Sequence, residues 1–171
     1  ALLIASLVLS GVANHVAGQH TLRKHSSRDV ALLLGCALQP DERVYALGAY
    51  PYDLPFYAQL RQPVLMVEDW PTVRRTSGDN WRRELFEAGD FEPAVASTVL
   101  LQPSVLTPAP AGAWLVTPRD HAPQSLQGAW QSAYQGQAWT LWIAAKASAP
   151  ESPPAAQQER LARCQQQGQH Q

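Results

Sequence analysis

Hydrophobic residues alternate between helical and strand spacing along the middle of the chain. The first stripe, Val30, Leu33, Leu34, Ala37 and Leu38, shares one face of an α-helix, and a proline follows it. Short apolar runs at 43–48, 64–67 and 113–117 are typical of buried strands. A run at 99–101 fits either a short strand or a helix end. Between these runs, the pattern predicts helices at 54–60 and 80–88, the second ending at Gly89.

Two further runs near the carboxyl end, 130–134 and 139–145, predict an antiparallel strand pair. The sequence Gln135-Gly136-Gln137 separates them and suits a tight turn. Strands interleaved with helices are typical of α/β proteins. We therefore predict a three-layer α/β/α sandwich around a small mixed, mainly parallel sheet, with an antiparallel C-terminal edge.

The two ends of the chain differ from this middle part. Residues 1–13 are almost entirely apolar and uncharged, but a helix of that length rises only about 20 Å, less than a hydrocarbon layer of about 30 Å. The segment has neither the methionine nor the positive residues that begin a signal peptide. We expect residues 1–20 to be the end of a transmembrane or membrane-proximal helix within a longer protein. A buried core helix is the alternative.

Residues 21–147 are then expected to form one α/β domain. Residues 148–171 are rich in proline and glutamine, and Leu161 is their one large apolar side chain. Such a composition buries too little surface to offset the entropy of ordering. We predict a disordered tail there, although a frayed helix at 154–167 is compatible with its alanine, glutamine and arginine content.

Composition excludes several function classes. The chain has 171 residues, enough for one domain, and only 16% of them are charged. Its formal net charge of -1 leaves no basic surplus, so nucleic acid is not an expected partner. The two cysteines cannot form a disulfide framework or a four-cysteine zinc site. Cys36 lies on the apolar helix face and is predicted to be a core residue, whereas Cys164 falls in the tail.

Catalytic motifs are missing from the sequence: it contains no nucleophile elbow, phosphate-binding loop, dinucleotide-binding turn or zinc-protease motif. His15, His20 and His25 recur every five residues, which places successive rings about 140° apart on a helix and prevents a shared metal. Glu68-Asp69 and Arg119-Asp120-His121 follow strands, where α/β proteins often bind ligands. Polar loops are the favoured interpretation of both, and we assign no catalytic, cofactor-binding or metal-binding residue.

Aromatic residues crowd one predicted turn and the short helix after it. This segment, together with an arginine pair further on, is typical of an interface with a protein, a lipid headgroup or a sugar. The candidate interface residues are Tyr50, Tyr52, Phe56, Tyr57, Arg74 and Arg75. The alternative is that the rings fill the core of a small domain. For Phe56 taken alone we favour the core, and for the tyrosines both interpretations stay open.

Several segments resemble one family. They are Ser27-Arg28 before an apolar helix, Pro-Asp-Glu-Arg-Val-Tyr at 40–45, Tyr-Asp-Leu-Pro-Phe-Tyr at 52–57 and Arg-Gln-Pro-Val-Leu-Met-Val at 61–67. The segments 80–86, 91–93 and 114–118 add to the likeness, which covers roughly residues 20 to 146. The chain resembles the C-terminal extracytoplasmic domain of bacterial glycosyltransferases of the dolichyl-phosphate-mannose protein mannosyltransferase type, which include the lipid A aminoarabinose transferases. The tail after residue 148 has no counterpart in this likeness.

The resemblance implies a parent enzyme in the bacterial inner membrane, with this domain on the periplasmic side. The parent would transfer a sugar from a polyprenyl-phosphate donor to lipid A or protein, and the domain's first partner would be its own N-terminal transmembrane domain. Catalytic acidic residues, and a divalent metal if one is used, would belong to the membrane portion. The isolated fragment would be inactive and hold no cofactor. A free-standing periplasmic sugar- or peptide-binding module is the alternative, and a small Rossmann-like enzyme with a phosphate site after Gly48 is a further one.

Overall fold

The computed structural model describes residues 25–121, 126, 128–145 and 153–168. Their helices are α1 (Arg28–Ala37), α2 (Leu54–Tyr57), α3 (Trp70–Thr76), α4 (Trp81–Phe91), α5 (Pro93–Val99), a 3-10 helix (Pro103–Leu106) and α6 (Pro153–Gly168). Their strands are β1 (Arg43–Leu47), β2 (Leu65–Val67), β3 (Leu100–Leu101), β4 (Ala113–Pro118), β5 (Trp130–Gln135) and β6 (Trp139–Ala144).

The six strands form one mixed sheet in the order β3-β2-β1-β4-β6-β5. The first four are parallel to one another, and β6 and β5 close the sheet as antiparallel strands. This confirms the predicted α/β class, the mainly parallel sheet and its antiparallel C-terminal edge. The register pairs Pro118 with Trp139, so the turn between β5 and β6 lies at the carboxyl ends of the parallel strands.

The sheet separates two hydrophobic clusters. The larger one packs Val30 and Leu34 of α1 against inward-facing strand residues such as Trp114, Val116 and Ile143. On the opposite face, residues of alternate strand positions pack against Leu106 of the 3-10 helix and against loop segments. Within the described residues, α-helices therefore build a thick layer on one face, and a thinner layer of 3-10 helix and loop covers the other.

The predicted helix at 54–60 is only one turn long, and the chain leaves it at Ala58 before Gln59 takes a left-handed φ of 52°. At this point the chain packs closely on α1, since a Cβ on Gly35 would lie 2.7 Å from the Ala58 carbonyl oxygen. The predicted end of a helix at Gly89 is also wrong, since α4 continues to Phe91. Glycine at position 89 instead allows α4 and α5 to pack closely, because a Cβ on Gly89 would lie 2.8 Å from the Ala96 side chain of α5.

The prediction of a disordered tail is wrong for residues 153–168, which form α6. Gln157, Leu161 and Cys164 are buried at spacings of four and three residues, so they share the helix face that packs on the domain. A disulfide joins Cys164 to Cys36 at the end of α1. Cys36 is therefore exposed and cross-linked rather than a core residue. The composition suggested disorder because the anchors of α6 are one leucine, one glutamine and the disulfide.

Polar contacts reinforce the docking of α6. The Arg160 side chain donates from Nε to the Ala37 carbonyl at 2.8 Å and forms an ion pair with Glu42. Glu42 in turn accepts a hydrogen bond from the Trp114 indole at 2.9 Å. Gln157 Nε2 donates to the Ala113 carbonyl at 3.3 Å. These contacts tie α6 to α1 and to the amino ends of β1 and β4.

The predicted membrane-proximal helix at residues 1–20, with His15 and His20, lies outside the described residues. Among the helices that are described, none has the length and apolar character needed to span a bilayer.

Candidate functional site

The carboxyl ends of β1 and β4 mark a switch in the direction of the chain connections. After β1 the chain continues towards β2, whereas after β4 it crosses to the other side, towards β5 and β6. In open α/β sheets such a divergence leaves a crevice outside the strand ends, where ligands usually bind. Here the crevice is a cavity of about 560 Å³. Its lining includes His25, Ala49, Arg119, Asp120, Gln137 and Trp139.

Two polar contacts hold the walls of the crevice. The Trp139 indole donates to the His25 carbonyl at 3.0 Å, which fixes the start of α1 against β6. Arg119 donates from its main-chain nitrogen to Ala138 at 2.8 Å and from Nη1 to the Gly136 carbonyl at 3.3 Å. The Arg119 guanidinium thus lies along the β5–β6 turn with most of its donors unused by these contacts.

Gly48 brings the loops after β1 and β4 together. Its φ is 88°, and a Cβ there would lie 2.6 Å from the His121 ring, so the position requires glycine. The Gly48 carbonyl accepts a hydrogen bond from Arg82 Nη2 at 2.8 Å. Arg82 also pairs with Glu68 at 3.0 Å and lies 4.3 Å from the centroid of the Trp81 ring. One arginine therefore joins the loops after β1 and β2.

The polar pairs predicted at the strand ends have separate roles. Arg119 and Asp120 line the crevice, but His121 packs on Gly48, and no hydrogen bond joins it to the described Asp120 side chain. Glu68 pairs with Arg82, and Asp69 caps α3 by accepting from Thr72 at 3.2 Å. The described residues include no group of three or more histidine, cysteine, aspartate or glutamate side chains that could hold a metal.

Four aromatic side chains, Tyr50, Tyr52, Phe56 and Tyr57, form a surface that we call the aromatic shelf. Tyr52 and Phe56 are 66% and 70% exposed, so the favoured core placement of Phe56 is wrong. Tyr50 and Tyr57 are half-buried against the larger core cluster. Each half-buried ring contacts an exposed ring edge-on, with centroid distances of 4.9 Å for Tyr50–Tyr52 and 5.2 Å for Phe56–Tyr57.

Asp53 fastens the aromatic shelf to the start of α1. Its carboxylate accepts hydrogen bonds from the Ser26 hydroxyl at 2.6 Å, the Ser27 hydroxyl at 2.5 Å and the Ser27 main-chain nitrogen at 3.1 Å. Burial alone would raise the pKa of Asp53, but these hydrogen bonds outweigh it and lower the pKa. Arg28 adds a cation–π contact, 5.7 Å from the Tyr57 centroid. The shelf therefore lies beside residues 26–28, near the first described residue of the chain, and we call this point the chain entry.

Arg74 and Arg75, the remaining predicted interface residues, make contacts away from the shelf. Arg74 lies 4.8 Å from the Phe86 ring centroid and bonds Asp90 at 2.6 Å, which joins α3 to α4. Its hydrogen bond lowers the pKa of Asp90. Arg75 donates to the Thr72 hydroxyl at 3.1 Å within α3. The structure thus groups the four aromatic residues and gives Arg74 a role between helices.

Sequence reasoning missed two carboxylates that organise the site. In the sequence, Asp53 directly precedes α2, and Asp29 lies in the first turn of α1, where it complements the helix dipole. Asp29 also reaches the β5–β6 turn, where it accepts from the Gln137 main-chain nitrogen at 2.8 Å. A Cβ on Gly136 would lie 2.5 Å from Asp29 Oδ2, so this glycine leaves room for the carboxylate. The available signal for this contact was Gly136 itself, which lies between two glutamines in the predicted turn.

No protein-family model and no curated protein matches the chain. Among solved structures, ArnT from Cupriavidus metallidurans bound to undecaprenyl phosphate matches at 18% identity and a TM-score of 0.47, covering 67% of this chain and 19% of that one. The apo form of the same protein matches at 15% identity and a TM-score of 0.44, covering 69% and 20%. The chain therefore spans about a fifth of the length of these structures.

Proposed function

We propose that this chain is the extracytoplasmic domain of a bacterial membrane glycosyltransferase of the protein mannosyltransferase and lipid A aminoarabinose transferase type. The parent enzyme transfers a sugar from a polyprenyl-phosphate carrier to lipid A or protein. This domain packs on the membrane portion and positions the donor or acceptor, without catalysing transfer by itself. The observation that carries the proposal is the aromatic shelf, exposed at the point where the chain enters the domain.

Sequence and structure support this assignment at the same residues. The most specific part of the family resemblance is Leu54-Pro55-Phe56-Tyr57 with Arg61-Gln62-Pro63-Val64. The first of these segments is α2, which carries Phe56 on the shelf. A cluster of exposed aromatic side chains is unusual on a domain that meets only water, whereas a single one such as Phe91 is common, and aromatic residues are enriched at protein interfaces. The shelf is therefore proposed to contact the parent's N-terminal transmembrane domain.

The disulfide supports the periplasmic placement. Cys36 and Cys164 are 128 residues apart in the sequence and are joined in the structure. Disulfides persist in oxidising compartments such as the bacterial periplasm and are rare in the cytosol. A domain on the outer side of the inner membrane would meet that condition. The apolar segment at residues 1–13 precedes α1 in the sequence, and Ser26 and Ser27 at the start of α1 bond Asp53 of the shelf segment, which agrees with a membrane on that side of the domain.

The proposal is tested by shelf substitutions in the full-length enzyme. Tyr52→Ser and Phe56→Ser remove the two exposed rings while leaving Tyr50 and Tyr57 in place. If the shelf contacts the membrane portion, each variant should reduce sugar transfer to lipid A or protein by about tenfold, which corresponds to an interface side chain that contributes about 1.4 kcal/mol. The assay measures transfer of a labelled sugar from its polyprenyl-phosphate donor in membranes, at matched enzyme levels.

Phe91→Ser is the matched control, because Phe91 is 92% exposed at the end of α4 and lies outside the shelf. It should leave transfer unchanged. The free energy of unfolding of the 171-residue chain should change by less than about 0.5 kcal/mol in Phe91→Ser and by no more than about 1.5 kcal/mol in the shelf variants, which each lose one edge-on aromatic contact. Equal transfer by the wild type and both shelf variants would contradict the proposed function.

A further inference from the structure

The crevice between β1 and β4 is a second candidate site, separate from the aromatic shelf. Its lining combines apolar side chains with charged and amide side chains. We propose that this crevice binds one or two neutral sugar residues. The choice of a sugar among polyhydroxylated ligands rests on the proposed function, whereas the crevice and its hydrogen-bonding groups do not.

The dimensions of the crevice suit a small ligand. Its volume of about 560 Å³ falls within the range of roughly 300–1,000 Å³ that is usual for small-molecule sites. Ala49, Pro118 and Ala138 line it beside the largely buried Trp139. A pyranose ring has an apolar C–H face and a rim of hydroxyls. The apolar residues would meet that face, and the polar side chains would meet the rim.

Hydroxyl groups need both donors and acceptors, and the crevice supplies both. Arg119 has five N–H donors and commits one of them to the Gly136 carbonyl. The neighbouring Asp120 carboxylate is an acceptor only, and the side-chain amide of Gln137 can donate and accept. A sugar hydroxyl can accept from Arg119 while another donates to Asp120. The same two residues would satisfy an adjacent pair of hydroxyls.

The charges favour a neutral ligand over a phosphate. Arg119 would attract an anion, but Asp120 is next to it in the chain and lines the same cavity. A carboxylate within a few ångströms repels a phosphate about as strongly as a guanidinium attracts it. The pair therefore gives no net advantage to an anionic ligand. It does provide charged partners for hydroxyl hydrogen bonds, which are stronger than neutral ones.

The wall of the crevice is preorganised. The β5–β6 turn is held by Asp29 through the Gln137 main-chain nitrogen, and Gly136 bonds back to the Trp139 carbonyl at 2.8 Å. The Arg119 main chain is bonded to Ala138 at 2.8 Å. Groups that are already fixed lose less entropy on binding than mobile ones. A ligand would thus bind to a turn and a strand end whose main chain is already held in position.

The test is a two-dimensional NMR titration of the complete 171-residue chain. The probes are methyl α-D-glucopyranoside and methyl α-D-mannopyranoside, with glucose 1-phosphate and inorganic phosphate in parallel. A Kd of about 1 mM is expected for the glycosides, since a small neutral ligand makes few contacts. Signals of Arg119, Gln137 and the Trp139 indole should shift, and phosphate alone should not shift them.

Arg119→Gln and Asp120→Asn should each weaken glycoside binding by about fivefold, the effect of losing one good hydrogen bond. Arg61→Gln is the control, because Arg61 lines a different cavity, formed by the end of α1 and by residues 58–63. It should leave the Kd unchanged. Both crevice residues are exposed, so these variants are expected to fold.

Absence of glycoside-induced shifts at the crevice would overturn the proposal, as would tighter binding of phosphate than of either glycoside. Equal binding by the wild type and both crevice variants would do the same. Phe56→Ser separates this outcome from the proposed function. It should reduce transfer in the full-length enzyme while leaving glycoside binding by the chain intact. Either result can therefore fail without the other.

Discussion

At the scale of single residues, two aspartates organise the carboxyl edge of the sheet. Asp53 accepts hydrogen bonds from Ser26 and Ser27, and Asp29 accepts one from the Gln137 main chain. Each carboxylate thus connects segments that are distant in the sequence. Neither role could be predicted, because a carboxylate in a turn or at a helix start already has a local explanation. The partners became visible only with the tertiary structure.

Replacing Asp53 with asparagine should reveal its contribution as a pH dependence. The pKa of Asp53 is lowered in the folded protein, so its stabilising effect is complete above the unfolded pKa of about 4 and is lost as the pH falls through the folded pKa. Asp53→Asn should therefore reduce the free energy of unfolding by about 1–2 kcal/mol at neutral pH and by less at about pH 3. Urea unfolding at both pH values measures this difference.

Asp41→Asn provides the comparison for that experiment, because Asp41 is exposed and its side chain accepts no hydrogen bond from a described residue. It should change stability by less than about 0.5 kcal/mol at either pH. If Asp53→Asn cost the same free energy at both pH values, the charged hydrogen bonds would not be the source of its effect.

At the scale of elements, the sequence predicted strands better than helices. β1, β2, β4 and β6 coincide with apolar runs, because buried strands have few polar positions, and the more exposed edge strand β5 was identified as the partner of β6 across a predicted turn. The helices α3 and α5 were missed: each has seven residues, begins near a proline and buries little, so neither shows a full hydrophobic stripe. Helix α6 was predicted only as the alternative to a disordered tail, for another reason. Its position depends on a disulfide and an ion pair, which composition does not reveal.

Loss of the disulfide should release α6. Cys36→Ser should lower the free energy of unfolding by about 2–4 kcal/mol, since the cross-link closes a long loop and fixes α6 on α1. Amide hydrogens at 153–168 should exchange faster, whereas those of β1 and β4 should stay protected. Denaturant unfolding and hydrogen exchange followed by mass spectrometry give the two measurements.

Three comparisons make this prediction specific to the cross-link. Cys164→Ser and the double variant should match Cys36→Ser, because the two cysteines form one bond. The wild type in reductant should behave in the same way. Unchanged exchange at 153–168 after reduction would show that Leu161 and the Arg160–Glu42 ion pair hold α6 without the disulfide.

At the scale of the whole molecule, the chain entry, the aromatic shelf and the crevice lie together at the carboxyl ends of the parallel strands. The indole of Trp139 bonds His25, Asp53 bonds Ser26, and Pro118 pairs with Trp139. Helix α1 ends near the start of β1, so the start of α1 lies at the opposite edge of the sheet, where β1 ends. The disulfide and the Arg160–Glu42 ion pair lie at the opposite end, beside the end of α1 and the start of β1.

This arrangement was partly predictable. The rule that ligands bind at the carboxyl ends of parallel strands singled out Arg119 and Asp120, and both line the crevice. The aromatic segment was also identified, but its exposure was not, because the same rings could have filled the core. Packing decided the matter: Tyr50 and Tyr57 occupy the available space against the core, which leaves Tyr52 and Phe56 exposed.

Hydrogen exchange can test which end of the domain faces the membrane portion of the proposed parent enzyme. If the shelf is the contact, backbone amides at 50–57 should exchange at least about tenfold more slowly in the full-length protein than in the isolated 171-residue chain, since association hides them from water. Amides at 86–95, beside the exposed Phe91 and Val95, serve as the internal reference and should exchange equally in both. The reverse result would be slower exchange at 86–95 and unchanged exchange at 50–57. It would place the α4–α5 end against the membrane portion of the proposed parent. The shelf would then need another partner.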